Sequence, residues 1–248
     1  MHRPFSLVLL SFVLLFTPVT TASAVEPADL GSGRVVLVPV NLGVRASAEV
    51  EPGMEPVWKE MLAHFGEGPR PVTALERSSA TALWNEVMKE VGRNDKADVY
   101  DAYAEFAKRL SEQLDYESIV FPSLVLRVAR LSGTGATWDG VRRRVEAPLV
   151  GHEAVNKITG PDLLVSREGL TGEIAAASLH VAVLDGQGEL RFEGAGGLAL
   201  LQDVVQGETR GDAQLAVTMK DEAFTDSEEL REGIETAFRK PLPASRAH

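Results

Sequence analysis

The chain has 248 residues, 44% of them hydrophobic, and its 36 acidic residues outnumber its 25 basic ones to give a formal net charge of −11. An acidic chain of this kind argues against general nucleic-acid binding and against attraction of a whole face to anionic lipid, since both need a basic surface. Cysteine is absent, which excludes disulfides and the cysteine-linked lipid of bacterial lipoproteins.

The first 24 residues have the pattern of a secretory signal peptide. Arg3 precedes an apolar stretch over residues 5–16, and Ala22-Ser23-Ala24 is a small-x-small cleavage site. The stretch is shorter than the ~20 residues of a spanning helix, and Pro18 follows it. We therefore expect cleavage after Ala24 and a soluble periplasmic chain with no remaining transmembrane span. Loss of Arg3 leaves 24 basic residues, so that chain would have a net charge of −12.

Strands and helices are predicted to alternate at the start of the mature chain. After a polar lead over residues 25–33, residues 34–40 read RVVLVPV, a continuous apolar run typical of a strand buried on both faces. Hydrophobic periodicity then predicts a helix over 56–65, a strand over 71–76 and a helix over 78–91 capped by Ser78. A third helix is predicted over 98–114, with Asp98 at its favourable amino end.

Antiparallel hairpins are predicted to follow these helices. Residues 118–131 and 136–146 form one long hairpin, and residues 177–184 and 189–194 form a second. Residues 148–173 read as an irregular excursion between them, because Gly, Pro and charge mix there without a period. Thr225 and Glu228 resemble a capping box before a last helix, which Pro241 and Pro243 end.

Together these elements predict one α/β domain over residues 34–240, followed by a disordered tail over 241–248. The predicted architecture is a layered sandwich of a mixed, largely antiparallel sheet with packing helices, in which a strand-helix-strand-helix start precedes long hairpins and a C-terminal helix.

This layout resembles the periplasmic domain shared by the amino-terminal part of TolB, the curli-secretion lipoprotein and the lipoprotein activators of penicillin-binding proteins. The residues that carry the resemblance are RVVLVPV at 34–40, the two helices after it, DYESIVFPSLVL at 115–126 and the paired hairpins. The chain departs from the lipoprotein members by lacking their lipidated cysteine. The resemblance implies a scaffold or adaptor role in a Gram-negative envelope.

No residue pattern predicts catalysis, a cofactor or a metal site. Ser123 lies outside any G-x-S-x-G elbow, and the mature histidines are far apart in sequence. Asp98, Asp101 and Glu105 are spaced as on a wet helix face. Residues 194–199 fit G-x-G-x-x-A, but a dinucleotide fold places that motif after its first strand, so we interpret these glycines as a strand end or a close backbone approach.

The stretch ATWDGVRRRVE at residues 136–146 is the strongest candidate for a functional surface. If it is extended, Arg142 and Arg144 point to one face while Val141, Arg143 and Val145 point to the other. Two guanidiniums on one face suit a carboxylate or phosphate, and Trp138 beside them could anchor an interface. Alternatively, the arginines protect an edge strand, and Asp139-Gly140 forms a bulge or bend.

These patterns lead to two alternative functions. We expect an exported, non-enzymatic adaptor that binds another envelope protein or an anionic envelope component through Trp138, Asp139, Arg142 and Arg144. The alternative is a periplasmic small-ligand-binding protein or hydrolase whose site forms in residues 152–173, around His152 and Glu153.

Overall fold

The computed structural model describes residues 30–94, 97–146, 149–150, 164–166, 169–207, 214–239 and 241–242. The predicted signal peptide, the cleavage site after Ala24, His152, Glu153 and residues 243–248 of the predicted tail lie outside these residues. None of the described helices is both long and apolar enough to cross a membrane.

The predicted strands and helices occur in the predicted order, and the structure adds short strands at 149–150 and 164–166 and a pair of strands at 202–207 and 214–219. The helices are α1 Met54–Gly66, α2 Arg77–Val91, α3 Val99–Ser111 and α4 Ser227–Arg239, with a 3-10 turn at Glu51–Gly53 before α1. The strands are β1 Val35–Leu37, β2 Val72–Ala74, β3 Ser118–Gly133, β4 Gly135–Trp138, β5 Val141–Arg144, β6 Leu149–Val150, β7 Leu164–Ser166, β8 Gly169–Leu184, β9 Leu190–Leu200, β10 Gln202–Gly207 and β11 Gln214–Met219.

The predicted fold class is confirmed. An eight-stranded mixed sheet has the order β2-β1-β3-β4-β5, and the other edge of β3 pairs with β8, which pairs with β9 and β7. Strand β1 is parallel to β2 and β3, whereas the other pairs of this sheet are antiparallel. Strands β11, β10 and β6 form a separate small sheet.

Helices cover both faces of one half of the large sheet. On one face, α1 and α4 bury an apolar cluster that includes Leu37, Met61, Val120, Leu124, Val181, Ile234 and Phe238. On the other face, α2 and α3 bury a second cluster that includes Val36, Trp84, Phe106, Ile119, Phe121 and Leu184. Because β1 and the first half of β3 lie between these helix layers, their side chains are buried on both faces. The apolar run at 34–40 predicted this for β1.

The other half of the sheet curls around a third apolar cluster. That cluster comprises Ala129, Leu131, Ala136, Trp138, Val141, Val145, Leu170, Ile174, Ala176, Leu200 and Val204. Asp139, in the turn between β4 and β5, accepts a backbone hydrogen bond from Gly197 of β9 at 3.3 Å. The curl therefore brings the end of the sheet back toward β9 and encloses the third cluster.

The first predicted hairpin is wrong in its extent. Strand β3 pairs with β4 only over Arg130–Ser132, and residues 136–146 are two strands joined by a turn at Asp139-Gly140. The main antiparallel partner of β3 is β8, over Ile119–Gly133. The local pattern identified the extended segments but assigned their pairing to the nearest neighbour in sequence.

The second hairpin is longer than predicted, and the excursion is correspondingly shorter. Strand β8 begins at Gly169, so residues 169–173 are extended rather than irregular, and β6 and β7 add short strands at 149–150 and 164–166. Strand β9 continues to Leu200. Residues 194–199 therefore lie inside a strand rather than at its end.

The glycines of β9 allow α4 to pack very closely. A Cβ atom at Gly196 would overlap the carbonyl oxygen of Gly233 in α4, and one at Gly233 would overlap the carbonyl oxygen of Gly197. Close backbone approach, one of the two structural readings of this motif, is thus confirmed.

Two helix starts differ from the predictions. Glu76, not Ser78, is the N-cap residue of α2, and the Ser78 hydroxyl donates to the Glu76 carboxylate at 2.8 Å. At α4 the Asp226 carboxylate accepts from the backbone N–H groups of Glu228 and Glu229, so the predicted capping box at Thr225 and Glu228 is wrong. Asp98 does begin α3, in a capping box with Asp101.

Candidate binding surface

A tight turn presents the arginine-rich strand. Asp139 and Gly140 have φ values of 33° and 85°, and Trp138 pairs with Val141 on either side of them. Two consecutive positive φ values are typical of the two-residue hairpin turn that Asp-Gly favours. This turn replaces the bulge or bend predicted there and fixes which side chains of β5 face outward.

The predicted alternation along β5 is confirmed. Arg142 and Arg144 are exposed, whereas Val141, Arg143 and Val145 are buried. The three consecutive arginines thus have two separate roles, because side chains alternate between the faces of a strand.

Trp138 does not lie on the exposed face with Arg142 and Arg144. Its side chain is only 6% exposed, belongs to the third apolar cluster, and donates from Nε1 to the carbonyl oxygen of Ala177 at 3.1 Å. Asp139 pairs with Arg127 at 3.2 Å. Trp138 is therefore a core residue and cannot anchor a partner there, and the Asp139 carboxylate already has an internal partner.

Arg143 connects β5 to the C-terminal helix. Its side chain is 8% exposed and lies against two carboxylates of α4, at 3.2 Å from Glu229 and 2.5 Å from Glu232. It also donates to the Glu229 carbonyl oxygen at 3.1 Å. Burial raises the pKa of the Glu229 carboxyl, and the positive charge of Arg143 opposes that shift. Arg143 therefore serves the fold.

The exposed arginines of β5 lie in a wider surface that crosses three strands. Strand pairing places Arg130 of β3 opposite Thr137 of β4, and Thr137 opposite Arg142 of β5. All three side chains are exposed. We call the surface formed by Leu126, Val128, Arg130, Thr137, Arg142 and Arg144 the arginine face.

The charges of the arginine face are only partly neutralised. Arg144 lies 3.5 Å from Glu146, and the two side chains are 80% and 76% exposed. Because water screens such a pair, it contributes little to the free energy of folding. Among the described residues, neither Arg130 nor Arg142 has a carboxylate within 4.0 Å. Strand β8 does place the exposed Glu173 directly opposite Arg130, so Arg142 has the fewest acidic neighbours on this face.

Apolar side chains continue the same face along β3. Val128 is 60% exposed and Leu126 is 44% exposed. They alternate with buried or half-buried residues. Because every second residue of a strand points to the same face, Leu126 and Val128 share a face with Arg130. The arginine face therefore combines exposed positive charge with exposed aliphatic surface. Arg130, Val128 and Leu126 were missed from the sequence.

A histidine, a serine and a glutamate come together on the opposite face of the sheet. Ser123 and His180 are cross-strand neighbours, and His180 Nε2 lies 2.8 Å from Glu193 Oε1. Tyr100 of α3 donates to the same oxygen at 2.5 Å, and burial together with this bond raises the pKa of its phenol.

This polar cluster holds α3 against the sheet and does not form an open site. Ser123 is 5% exposed and hydrogen bonds to Tyr103, whose pKa burial raises. Tyr103 in turn stacks on Phe121 with ring centroids 4.2 Å apart. A nucleophile must meet its substrate, and this serine lies beneath a packed helix, so the reading of Ser123 as a strand serine stands.

The other sequence candidates also have structural explanations. The Asp98 carboxylate accepts the backbone N–H groups of Tyr100 and Asp101, while the Asp101 carboxylate accepts the N–H of Asp98. Glu105 pairs with Arg109 at 2.8 Å. Within the described parts of the chain, no three His, Asp or Glu side chains are grouped so as to hold a metal ion.

A shallow cleft at the far end of the sheet is lined by Gly31, Glu117, Ser118, Asp185 and Arg191. Burial alone would raise the pKa of Asp185, but hydrogen bonds from the Glu189 and Gln187 backbones and from Arg191 give a net lowering. Its carboxylate is thus engaged in shaping the β8–β9 turn.

The amino-acid sequence matches no protein-family model and no curated protein. The case for function therefore depends on the geometry of this chain.

Proposed function

We propose that the protein is an exported, non-enzymatic adaptor that docks onto another component of the cell envelope through the arginine face. The observation that carries this proposal is the pair of exposed guanidiniums, Arg130 and Arg142, neither of which has a carboxylate within 4.0 Å among the described residues. Charged residues aligned in this way favour recognition of an oppositely charged partner and speed its encounter.

Two further features support a binding role over catalysis. Ser123 and His180 lie beneath α3 with their polar groups engaged, and the carboxylates of α3 cap or pair within the helix. The competing prediction of a ligand-binding or hydrolytic site in residues 152–173 stays a prediction, since His152 and Glu153 lie outside the described residues.

The periplasm is the proposed compartment. The signal-peptide pattern of residues 1–24 supports export. The resemblance to envelope adaptor domains also supports this role.

The test is an affinity pull-down of envelope extract with the mature chain, beginning at Val25. The parent is compared with an Arg142→Glu, Arg144→Glu variant and with a control variant, Arg70→Glu, Arg93→Glu. Both control positions are exposed and away from the arginine face, and both variants change the net charge equally.

We expect the parent and the control to retain the same protein and the arginine-face variant to lose it. Circular dichroism checks that all three chains are folded. Equal retention by all three chains, or retention of nothing by the parent, would contradict docking through this face.

A further inference from the structure

We infer that the arginine face binds a polypeptide segment of a partner protein in which carboxylate side chains stand next to aliphatic ones. This inference rests on the proposed docking role of the face and adds the chemistry of the occupant.

The charged part of the face is wide enough for more than one carboxylate. Arg130 and Arg142 are separated by β4, and neighbouring strands lie about 4.8 Å apart, so their backbones are roughly 10 Å apart. The Thr137 side chain lies between them in the same cross-strand row. A segment with two acidic side chains can therefore engage both guanidiniums, each through charge-assisted hydrogen bonds.

The apolar part distinguishes a protein segment from a simple polyanion. Val128 lies two residues before Arg130 on the same strand face, which places it about 7 Å away along β3. Leu126 continues the aliphatic surface in the same direction. A phosphate group or a lipid headgroup would neutralise the arginines but leave Val128 and Leu126 in water, whereas an acidic segment with aliphatic residues would cover both.

Gly135 positions the Arg142 side chain on this face. A Cβ atom at Gly135 would lie 2.7 Å from Arg142 Nε and 3.2 Å from one of its terminal nitrogens. The guanidinium thus lies across the surface of Gly135, between β5 and β3. Gly135 is not among the glycines with positive φ, so an alanine there would displace the arginine without straining the backbone.

The direct test uses three labelled synthetic peptides of equal length and fluorescence anisotropy with the mature chain. One peptide mixes glutamate and valine, one mixes glutamate and serine, and one mixes lysine and valine. Phosphatidylglycerol vesicles and inorganic phosphate are tested as competitors. We expect the glutamate-valine peptide to bind at least about tenfold more tightly than the other two. The glutamate-serine peptide lacks the apolar contacts, and the lysine-valine peptide lacks the charge-assisted hydrogen bonds.

Variants locate the binding. Arg130→Gln with Arg142→Gln should weaken glutamate-valine binding about tenfold and flatten its salt dependence, and Val128→Ser should weaken it about threefold. Arg70→Gln with Arg93→Gln should leave it unchanged. Gly135→Ala should weaken binding in the parent but not in an Arg142→Gln background, because a positioning residue acts only through the residue that it positions.

Each contrary result overturns the inference. Equal binding of the glutamate-serine peptide would indicate a polyanion site. Tighter binding of vesicles or phosphate than of the glutamate-valine peptide would indicate a headgroup site, and equal binding of the lysine-valine peptide would remove the charge argument. If these peptides fail while the pull-down still depends on Arg142 and Arg144, the partner chemistry is wrong and the docking role stands. If the pull-down is insensitive to those arginines, the docking role itself fails.

Discussion

Strands β3 and β8 run through both halves of the sheet, and the two halves bury them differently. Between the helix layers, residues 118–124 of β3 are all buried. In the curled half, the same strand alternates, with Ala129 and Leu131 buried and Val128 and Arg130 exposed. In the helix-flanked half, β3 therefore has no face left for a partner, whereas in the curled half it keeps one exposed face.

Along β3, the buried residues of the curled half therefore contribute to stability, and the exposed residues are available for binding. Residues that face the third cluster hold the curled half together, and residues of opposite parity form the arginine face. Substitutions in the first set should change the free energy of unfolding, and substitutions in the second set should change binding.

Trp138→Ala should destabilise the protein by about 3–5 kcal/mol, since it removes a large buried side chain and leaves a cavity in the third cluster. Urea unfolding measures the loss. The same strand provides a control, because Thr137 is exposed and Thr137→Ala should change the free energy by less than about 0.5 kcal/mol. Similar small effects at both positions would mean that the tryptophan is a surface residue after all.

Gly233→Ala should cost about 1–3 kcal/mol or more, because the new methyl group would meet the Gly197 backbone, which cannot move aside cheaply. Gly66→Ala at the end of α1 is the matched control. A Cβ there has no heavy atom within 4 Å, so this change should be neutral or stabilising by a few tenths of a kcal/mol. Thermal and urea unfolding of both variants measure the change in stability. Equal losses at Gly233 and Gly66 would show that close packing of α4 on β9 is not the cause.

Arg143→Met should destabilise the fold by about 1–2 kcal/mol at neutral pH, a modest figure because Glu232 and Glu229 remain partly solvated. The loss should shrink in acid. Burial raises the pKa of Glu229 above its ordinary 4.5 and Arg143 counters that shift, so without Arg143 the folded-state pKa rises further.

A carboxyl whose pKa is raised on folding binds its proton more tightly in the folded state, so it stabilises the fold at low pH and loses that contribution as pH rises through the raised value. Urea unfolding of the parent and Arg143→Met at pH 4.5 and at about pH 7 should therefore show the larger difference at the higher pH. An equal difference at both values would show that Arg143 acts through packing alone.

Val128→Ser should leave the free energy of unfolding within about 0.5 kcal/mol of the parent, since the side chain already contacts water. Urea unfolding measures it, with Ala129→Ser on the buried face as the comparison. Ala129 is fully buried, so its serine variant must bury a hydroxyl and should lose about 1–3 kcal/mol. Equal losses would remove the distinction between the two faces of β3.

Much of the helix-flanked half could be predicted from sequence, because its signals are local. The run RVVLVPV indicates a strand buried on both faces, and the spacing of Tyr103, Phe106 and Leu110 indicates the buried face of α3. Asp98 was placed at the amino end of this helix because its negative charge is favourable there, and the structure makes it the N-cap residue.

The curled half was harder to predict because its arrangement depends on pairing between distant segments. The partner of β3 is β8, about fifty residues later, whereas local patterns favour the nearest segment. Trp138 was placed beside Arg142 because no hairpin turn was predicted at Asp139-Gly140. That turn pairs Trp138 with Val141 and so puts both on the buried face. The Asp-Gly pair was itself a readable hairpin signal.

The candidate surface was therefore only half identified. Alternation within β5 correctly separated Arg142 and Arg144 from Arg143. Arg130 and Val128 join them only through the register of β3 with β4, which the sequence did not specify. A usable signal did exist, in the alternation of Leu126, Val128 and Arg130 after a fully apolar run.

Hydrogen–deuterium exchange of the mature chain, alone and with the protein retained in the pull-down, tests the central claim most directly. If the arginine face is the docking surface, exchange should slow in peptides that cover β4, β5 and the second half of β3, and should be unchanged in α2 and α3. Protection confined to α2 and α3 or to the β8–β9 turn, with β4 and β5 unchanged, would contradict the assignment of recognition to the curled half.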